Sequence, residues 1–172
     1  MNPIILAVIL GLSHGIEPDH VVTARLLKTR RKILQFALSH SAGFIVIAIP
    51  LVILIGDNKI LEIIADIVGI IFSILLIIEA ITGKEFDIGA NTAGVLQGAF
   101  VITPTKVIVI VIASSGYNLL YSIETLLAFI FASFISIFSL SILNIIPKRI
   151  YKILNMSIAL FTLGYLIFSL FS

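Results

Sequence analysis

Residues 3–24 read PIILAVILGLSHGIEPDHVVTA, an apolar run in which His14, Glu17, Asp19 and His20 are set around Pro18. The run is long enough to cross the hydrocarbon core of a bilayer, which takes about 20 mostly apolar residues in a helix. Two imidazoles and two carboxylates inside such a span are costly: translocon scales charge about 2.5–3.5 kcal/mol for an Asp at mid-helix. They are tolerable only when they face other helices, water or a bound cation. Pro18 offers no N–H to the carbonyl of His14, and its ring crowds that carbonyl. Gly15 lets the backbone bend further. The stretch predicts a membrane helix kinked or broken at 15–18, with the His14 carbonyl freed beside the histidines. A membrane accepts irregular backbone only where protein buries it or where it lines a cavity. No Lys or Arg precedes the run, and its ionisable residues interrupt the apolar stretch, so it is not read as a cleavable signal.

The rest of the chain keeps the same character. Of 172 residues, 60% are hydrophobic and only 12% charged, against about 25% charged in a soluble domain, and the mean hydropathy is +1.24. A water-soluble globule would lack the polar surface to cover itself; a bilayer demands none. Five further runs qualify as spans, at 33–55, 60–82, 95–113, 121–143 and 153–171. They are continuous rather than alternating, which argues against a membrane barrel. The expected fold is all-α: a polytopic membrane helix bundle of about six transmembrane helices in one domain, 1–172. Gly56-Asp57-Asn58 has turn chemistry, 83–94 with Gly83, Gly89 and Gly94 is the longest loop, and Pro147 stops a helix. With no cysteine in the chain, disulfides, thiolate ligands and thiol redox chemistry are excluded.

Charge sets the orientation. Arg25, Lys28, Arg30, Arg31 and Lys32 fall together after the first span. Between two apolar spans such a cluster marks a cytoplasmic loop rather than a nucleic-acid site. The loops after the first, third and fifth spans hold five, one and three basic residues, and those after the second and fourth hold only Lys59. The positive-inside rule then places the odd-numbered loops in the cytoplasm and both termini outside the cell membrane.

The two halves, 1–82 and 94–171, echo each other. Gly11-Leu12-Ser13-His14-Gly15 matches Gly94-Val95-Leu96-Gln97-Gly98, and each is followed by an intramembrane proline, Pro18 or Pro104. Three spans per half would invert the second copy, and inverted repeats with interrupted helices in matching places are a feature of many secondary transporters.

At about 100° per residue, His14, Glu17 and His20 share a face about 120° wide, while Asp19 falls elsewhere unless the kink rotates it. Measured from the cytoplasmic ends at 1.5 Å per residue, His14 lies about 15 Å deep, His20 about 6 Å and His40, in Ser39-His40-Ser41 of the second span, about 10 Å. All three histidines of the chain can therefore face one volume between two antiparallel helices. Imidazoles with hard oxygen donors suit a borderline divalent ion such as nickel, cobalt or zinc. The ligand form of imidazole is neutral, so binding should weaken as pH falls through the histidine range, about 6.5 when unperturbed.

His14 followed after four residues by Asp19-His20 resembles the H-x-x-x-x-D-H motif of the nickel/cobalt transporter superfamily. The basic Thr29-Arg30-Arg31-Lys32 and the Leu38-Ser39-His40-Ser41 stretch, similar to a next-helix L-G-H-S segment, extend the resemblance over about the first 45 residues. It implies that His14, Asp19 and His20 recognise metal and that His40 participates. Glu17 stands outside that pattern but among the candidate ligands by position. The mid-chain acidic motif of the long permeases, roughly D-T-A-T-E, has an echo without an acid in Asn91-Thr92-Ala93, and there are six spans rather than eight. The resemblance is therefore to the short six-helix branch, which includes urease-linked membrane proteins.

Other polar residues lie in the spans. Thr103-Pro104-Thr105-Lys106 is the counterpart of the first break. Lys106, about 17 Å deep, calls for a neutralising acid among Glu17, Asp19 and Asp66, or for snorkelling. Glu62, Glu79 and Glu124 read as interfacial, Tyr117, Tyr121 and Tyr151 as boundary aromatics, and Phe129, Phe131, Phe134 and Phe138 as lipid or helix contacts. With no H-E-x-x-H spacing and no nucleotide-binding motif, the expectation is not an enzyme and carries no cofactor. It is a secondary transporter of divalent transition-metal ions, Ni2+ or Co2+, driven by an ion gradient, the membrane potential or a partner subunit. A homo-oligomer is compatible with this. The alternatives are a transporter of another small solute with a proton relay, and a non-transporting accessory factor for metalloenzyme maturation.

Overall fold

A computed structural model of the chain describes residues 2–50, 59–83, 86, 88–101, 103–114, 119–145 and 148–170. Every regular element among the described residues is helical. The turn Gly56-Asp57-Asn58, Lys84, Pro147 and Tyr117 lie outside them, as do the side chains of Glu62, Asp66 and Tyr151.

Helix α1, Pro3–Gly15, starts on Asn2, whose Oδ1 accepts from the Ile4 N–H at 2.9 Å, with proline at its first position. It stops after Gly15, and α2, Pro18–Leu27, restarts on Pro18 with its axis turned by 52°. Lys28 then takes a left-handed conformation, φ 59°, as the cap of α2, and Thr29 caps α3, Arg30–Gly43, accepting from the Lys32 N–H at 3.3 Å. What reads as a basic loop is thus a turn between two helices. Arg25 is not on it: it is buried in the last turn of α2 and donates to Asn155 Oδ1 at 2.8 Å and to the Leu143 carbonyl. Past Gly43 the helix widens into a π-helical turn, Phe44–Ala48.

Helix α4 spans Lys59–Thr82 and ends at Gly83, φ 69°. Helix α5, Ala90–Ala99, begins five residues ahead of the 95–113 run, so Gly94 is inside a helix rather than in a loop. The reason is packing: a Cβ at Gly94 or Gly98 would collide with the backbone of Phe36 or His40 on α3. The chain breaks again after Ala99, and α6, Pro104–Ser114, leaves at 59° to α5. Helix α7, Leu119–Ser139, tightens into a 3-10 turn, Leu140–Ile145, and α8 covers Lys148–Leu170.

The helices pair in a reciprocal way. α1 lies along α7, α3 along α5, and α4 along α8. Gly11 and Gly15 are pressed on Phe129, Ala132 and Ser136 of α7, as Gly94 and Gly98 are on α3. The interior that results is polar at its centre, with His14, His20, His40, Gln97 and Lys106 fully or almost fully buried. Large apolar side chains stand outside instead, Leu119 77% exposed, Phe168 74% and Phe161 70%. Among the described residues, by length and composition, one helix, Leu119–Ile145, could cross a membrane unbroken, and up to three could if each bent pair counts as one span. Within α4 and α8 the apolar stretches whose side chains are described, Ile70–Thr82 and Lys152–Phe168, are shorter than that.

Candidate metal centre

The first break brings the end of α1 against the start of α2, so residues 14, 17, 19 and 20 cluster without lying on one continuous helix. The wheel drawn through an unbroken helix separates Asp19 from the others; the break removes that separation. Glu17, Asp19 and His20 each offer a ligand atom within 4.8 Å of the other two, and His14, His20 and His40 do the same. The three rings pack edge to face or tilted, with centroids 4.7 Å apart for His14–His20 and His20–His40 and 5.3 Å for His14–His40. The ring of Phe129 closes one side, 5.4 Å from His14.

The hydrogen bonds assign the tautomers. His14 Nδ1–H donates to Glu17 Oε2 at 2.9 Å, a carboxylate that can only accept while ionised. His20 Nδ1–H donates to the His14 carbonyl at 2.9 Å. That carbonyl also accepts from the Glu17 N–H at 3.1 Å, so it is not left free as the missing proline N–H implies; the imidazole of His20 takes the place of the lost donor. His20 therefore presents Nε2 as a bare lone pair, the form a metal requires, and His14 does so while Glu17 is ionised.

His40 completes the arrangement from α3. Its Nε2 stands 3.2 Å from His14 Nε2. Two imidazole nitrogens bound to one ion at about 2.0–2.1 Å, at tetrahedral or octahedral angles, are about 2.9–3.4 Å apart. The observed spacing suits two ligands on a shared cation and equally an N–H···N hydrogen bond between the two rings. His20 Nε2, His40 Nδ1 and Asp19 Oδ2 are buried with no hydrogen-bond partner among the described residues, a costly state for a protein interior unless something else satisfies them. For His40 either tautomer leaves a nitrogen unmet: Nε2–H toward His14 strands a lone pair on Nδ1, and Nδ1–H sets two lone pairs against each other. The residues thus fit a divalent ion held by imidazoles with carboxylate at hand.

The second break supports the first. Thr105 Oγ1 donates to Glu17 Oε1 at 2.7 Å and stands 3.0 Å from His14 Nδ1, and Thr103 Oγ1 is 2.8 Å from Thr105 Oγ1. The two breaks face each other through these contacts. Glu17 is held by both, which suits it to orient His14 as well as to bind an ion itself. Lys106 is fully buried, and its three bonds go to the carbonyls of Gln97, Gly98 and Val101 at 2.8, 3.1 and 2.7 Å. It does not snorkel, and no acid among the described residues touches the ammonium, although the charges of Glu17 and Asp19 act on it at longer range; the side chain of Asp66 lies outside the described residues. Glu79 is buried and pairs with Lys28 Nζ at 3.0 Å, joining α4 to the α2–α3 turn.

Gln97 is the residue that the motif reading passes over. It is buried, donates to Thr23 Oγ1 at 2.7 Å, and has an unpartnered Oε1. Its only signal in the sequence is that it holds the place of His14 in the Gly-x-x-x-Gly echo. No family model matches the chain, and no curated protein or solved structure matches it.

Proposed function

We propose that the chain is a small integral membrane protein that carries a divalent transition-metal ion, a borderline ion by its donor set and nickel or cobalt by the resemblance of its motif, through a site built from His14, His20 and His40 with Asp19 and Glu17 beside it. The observation that carries the reading is the pair of His14 and His40 Nε2 atoms at 3.2 Å, with His20 Nε2 buried and unmet. Nitrogen donors in that geometry favour a borderline ion over the hard cations magnesium and calcium. The metal is cargo, so it is bound at a break whose flanking half-helices, α1 and α2, meet at an angle rather than in a closed cage.

Support for a membrane setting comes from the apolar exterior around a polar interior, the reverse of a soluble fold. We read six spans, with each bent pair as one, the basic α2–α3 turn in the cytoplasm and both termini outside. The reciprocal pairing of α1 with α7 and α3 with α5 supports a 3+3 inverted repeat. The resemblance of His14…Asp19-His20 to the nickel/cobalt transporter motif points the same way.

A proton relay for another solute is the second reading, favoured by the unbroken run Thr105–Glu17–His14–His40. Proteoliposomes containing only this chain separate the two. The expected result is saturable Ni2+ or Co2+ uptake that the His14→Ala, His20→Ala double variant loses while still inserting. Proton-coupled solute flux without metal flux would favour the relay, and no flux at all an accessory role.

A further inference from the structure

The two helix breaks are built on one plan. In each, a Gly-x-x-x-Gly half-helix lies on the second helix of the opposite half: Gly11 and Gly15 on α7, Gly94 and Gly98 on α3. In each, a second half-helix restarts on proline, Pro18 or Pro104. The residue two after that proline reaches back across the break. His20 donates to the carbonyl of His14, the residue before Gly15, at 2.9 Å. Lys106 donates to the carbonyl of Gln97, the residue before Gly98, at 2.8 Å. The connecting bond is conserved between the halves while the side chain has changed from imidazole to ammonium.

The ammonium is fully coordinated. Its three N–H groups meet three carbonyl oxygens. Gln97 and Gly98 stand in the last turn of α5, where the unpaired carbonyls and the helix dipole concentrate negative charge. The ring of Phe44 lies 5.8 Å from Nζ and adds its face to the enclosure. Carbonyls at the ends of broken helices coordinate monovalent cations in transporters, and carbonyl rings replace the hydration shell of potassium, an ion close to an ammonium in size.

We propose that the carbonyl cradle at the α5–α6 break is a monovalent-cation site that the chain fills with its own Lys106 ammonium. The second break is then a cation site permanently occupied by a tethered ion, where the first exchanges a free one. This holds whatever ion the histidine site takes, because none of the cradle's three oxygens belongs to that site.

The test is the thermal stability of the purified protein and of Lys106→Ala in potassium chloride and in choline chloride at equal ionic strength, choline being too large for the cradle. Wild type should melt at the same temperature in both. Lys106→Ala should melt lower in choline and recover saturably with K+, by about 5–10 °C at 100 times its dissociation constant. Lys106→Met, whose side chain fills the path while leaving the carbonyls unmet, should be destabilised in both salts with no recovery. If Lys106→Ala is unfolded in choline, folding on addition of K+ is the same positive result. A Lys106→Ala protein that behaves alike in the two salts, folded or unfolded, overturns the proposal, as does equal K+ recovery of Lys106→Met.

Discussion

The break between α1 and α2 and the break between α5 and α6 carry opposite chemistry on the same backbone plan. At the first, two buried histidines and an aspartate keep atoms that nothing among the described residues satisfies, His20 Nε2, His40 Nδ1 and Asp19 Oδ2. At the second, one buried lysine has every donor met. Burial of polar groups costs most where they lack partners, and we propose that several unmet in one place mark a place kept for an exchangeable ion. The ammonium leaves none of its own valence unmet, although Gln97 Oε1 beside it has no partner among the described residues. The contrast is what the proposed function rests on: the first break as the part of the interior that handles a ligand, the lysine cradle as a part that holds the helices.

His20→Lys is the sharpest way to break the comparison, because it writes the second break's chemistry into the first. We expect it to remove Ni2+ binding by at least about 100-fold, beyond what losing an indirect support costs, measured by titration calorimetry on folded protein. Retained affinity would mean that His20 is no ligand. Gly98→Ala comes next. Its Cβ would meet the backbone of His40, so α3 must shift; overpacking of this kind costs about 1–3 kcal/mol and should also weaken metal binding by moving His40. Gly164, which has open space where a Cβ would go, is the control, and Gly164→Ala should leave melting and affinity unchanged. Thr105→Val removes the hydroxyl that holds Glu17 and abuts His14; affinity should fall about 10-fold, as for other groups that orient a ligand. An unchanged affinity would detach the second break from the site. The smallest effect belongs to Lys28→Met. Its pair with Glu79 is partly exposed, so about 0–1 kcal/mol of stability is at stake, with metal affinity unaffected.

Much of this arrangement can be read before any coordinates, where a rule is local. Pro18 and Pro104 must interrupt their helices because the lost N–H and the ring clash depend on nearest neighbours alone. The apolar runs announce helices for the same kind of reason. Reading fails where distant parts of the chain decide. Ala90, Asn91 and Thr92 look like loop, yet they are helical because α3 packs on Gly94 and Gly98. The His14 carbonyl counts as free if only the N–H that Pro18 lacks is considered; the Glu17 N–H and a side chain six residues on supply donors instead. Asp19 is placed away from the histidines by a wheel that assumes the helix continues through the break. Lys106 suggests a missing acid, since charge is what a sequence displays and carbonyl direction is not. Arg25 reads as part of a loop until Asn155 and Leu143, far along the chain, take its donors.

The central claim is that His14, His20 and His40 hold one divalent ion together. X-ray absorption on the purified protein loaded with one equivalent of Ni2+ tests it most directly. The account predicts imidazole nitrogens at about 2.0–2.1 Å, with the outer-shell scattering of three rings in wild type and of two in His40→Ala. A spectrum of oxygen ligands only, or one that the His40→Ala and His20→Ala variants leave unchanged, would contradict it.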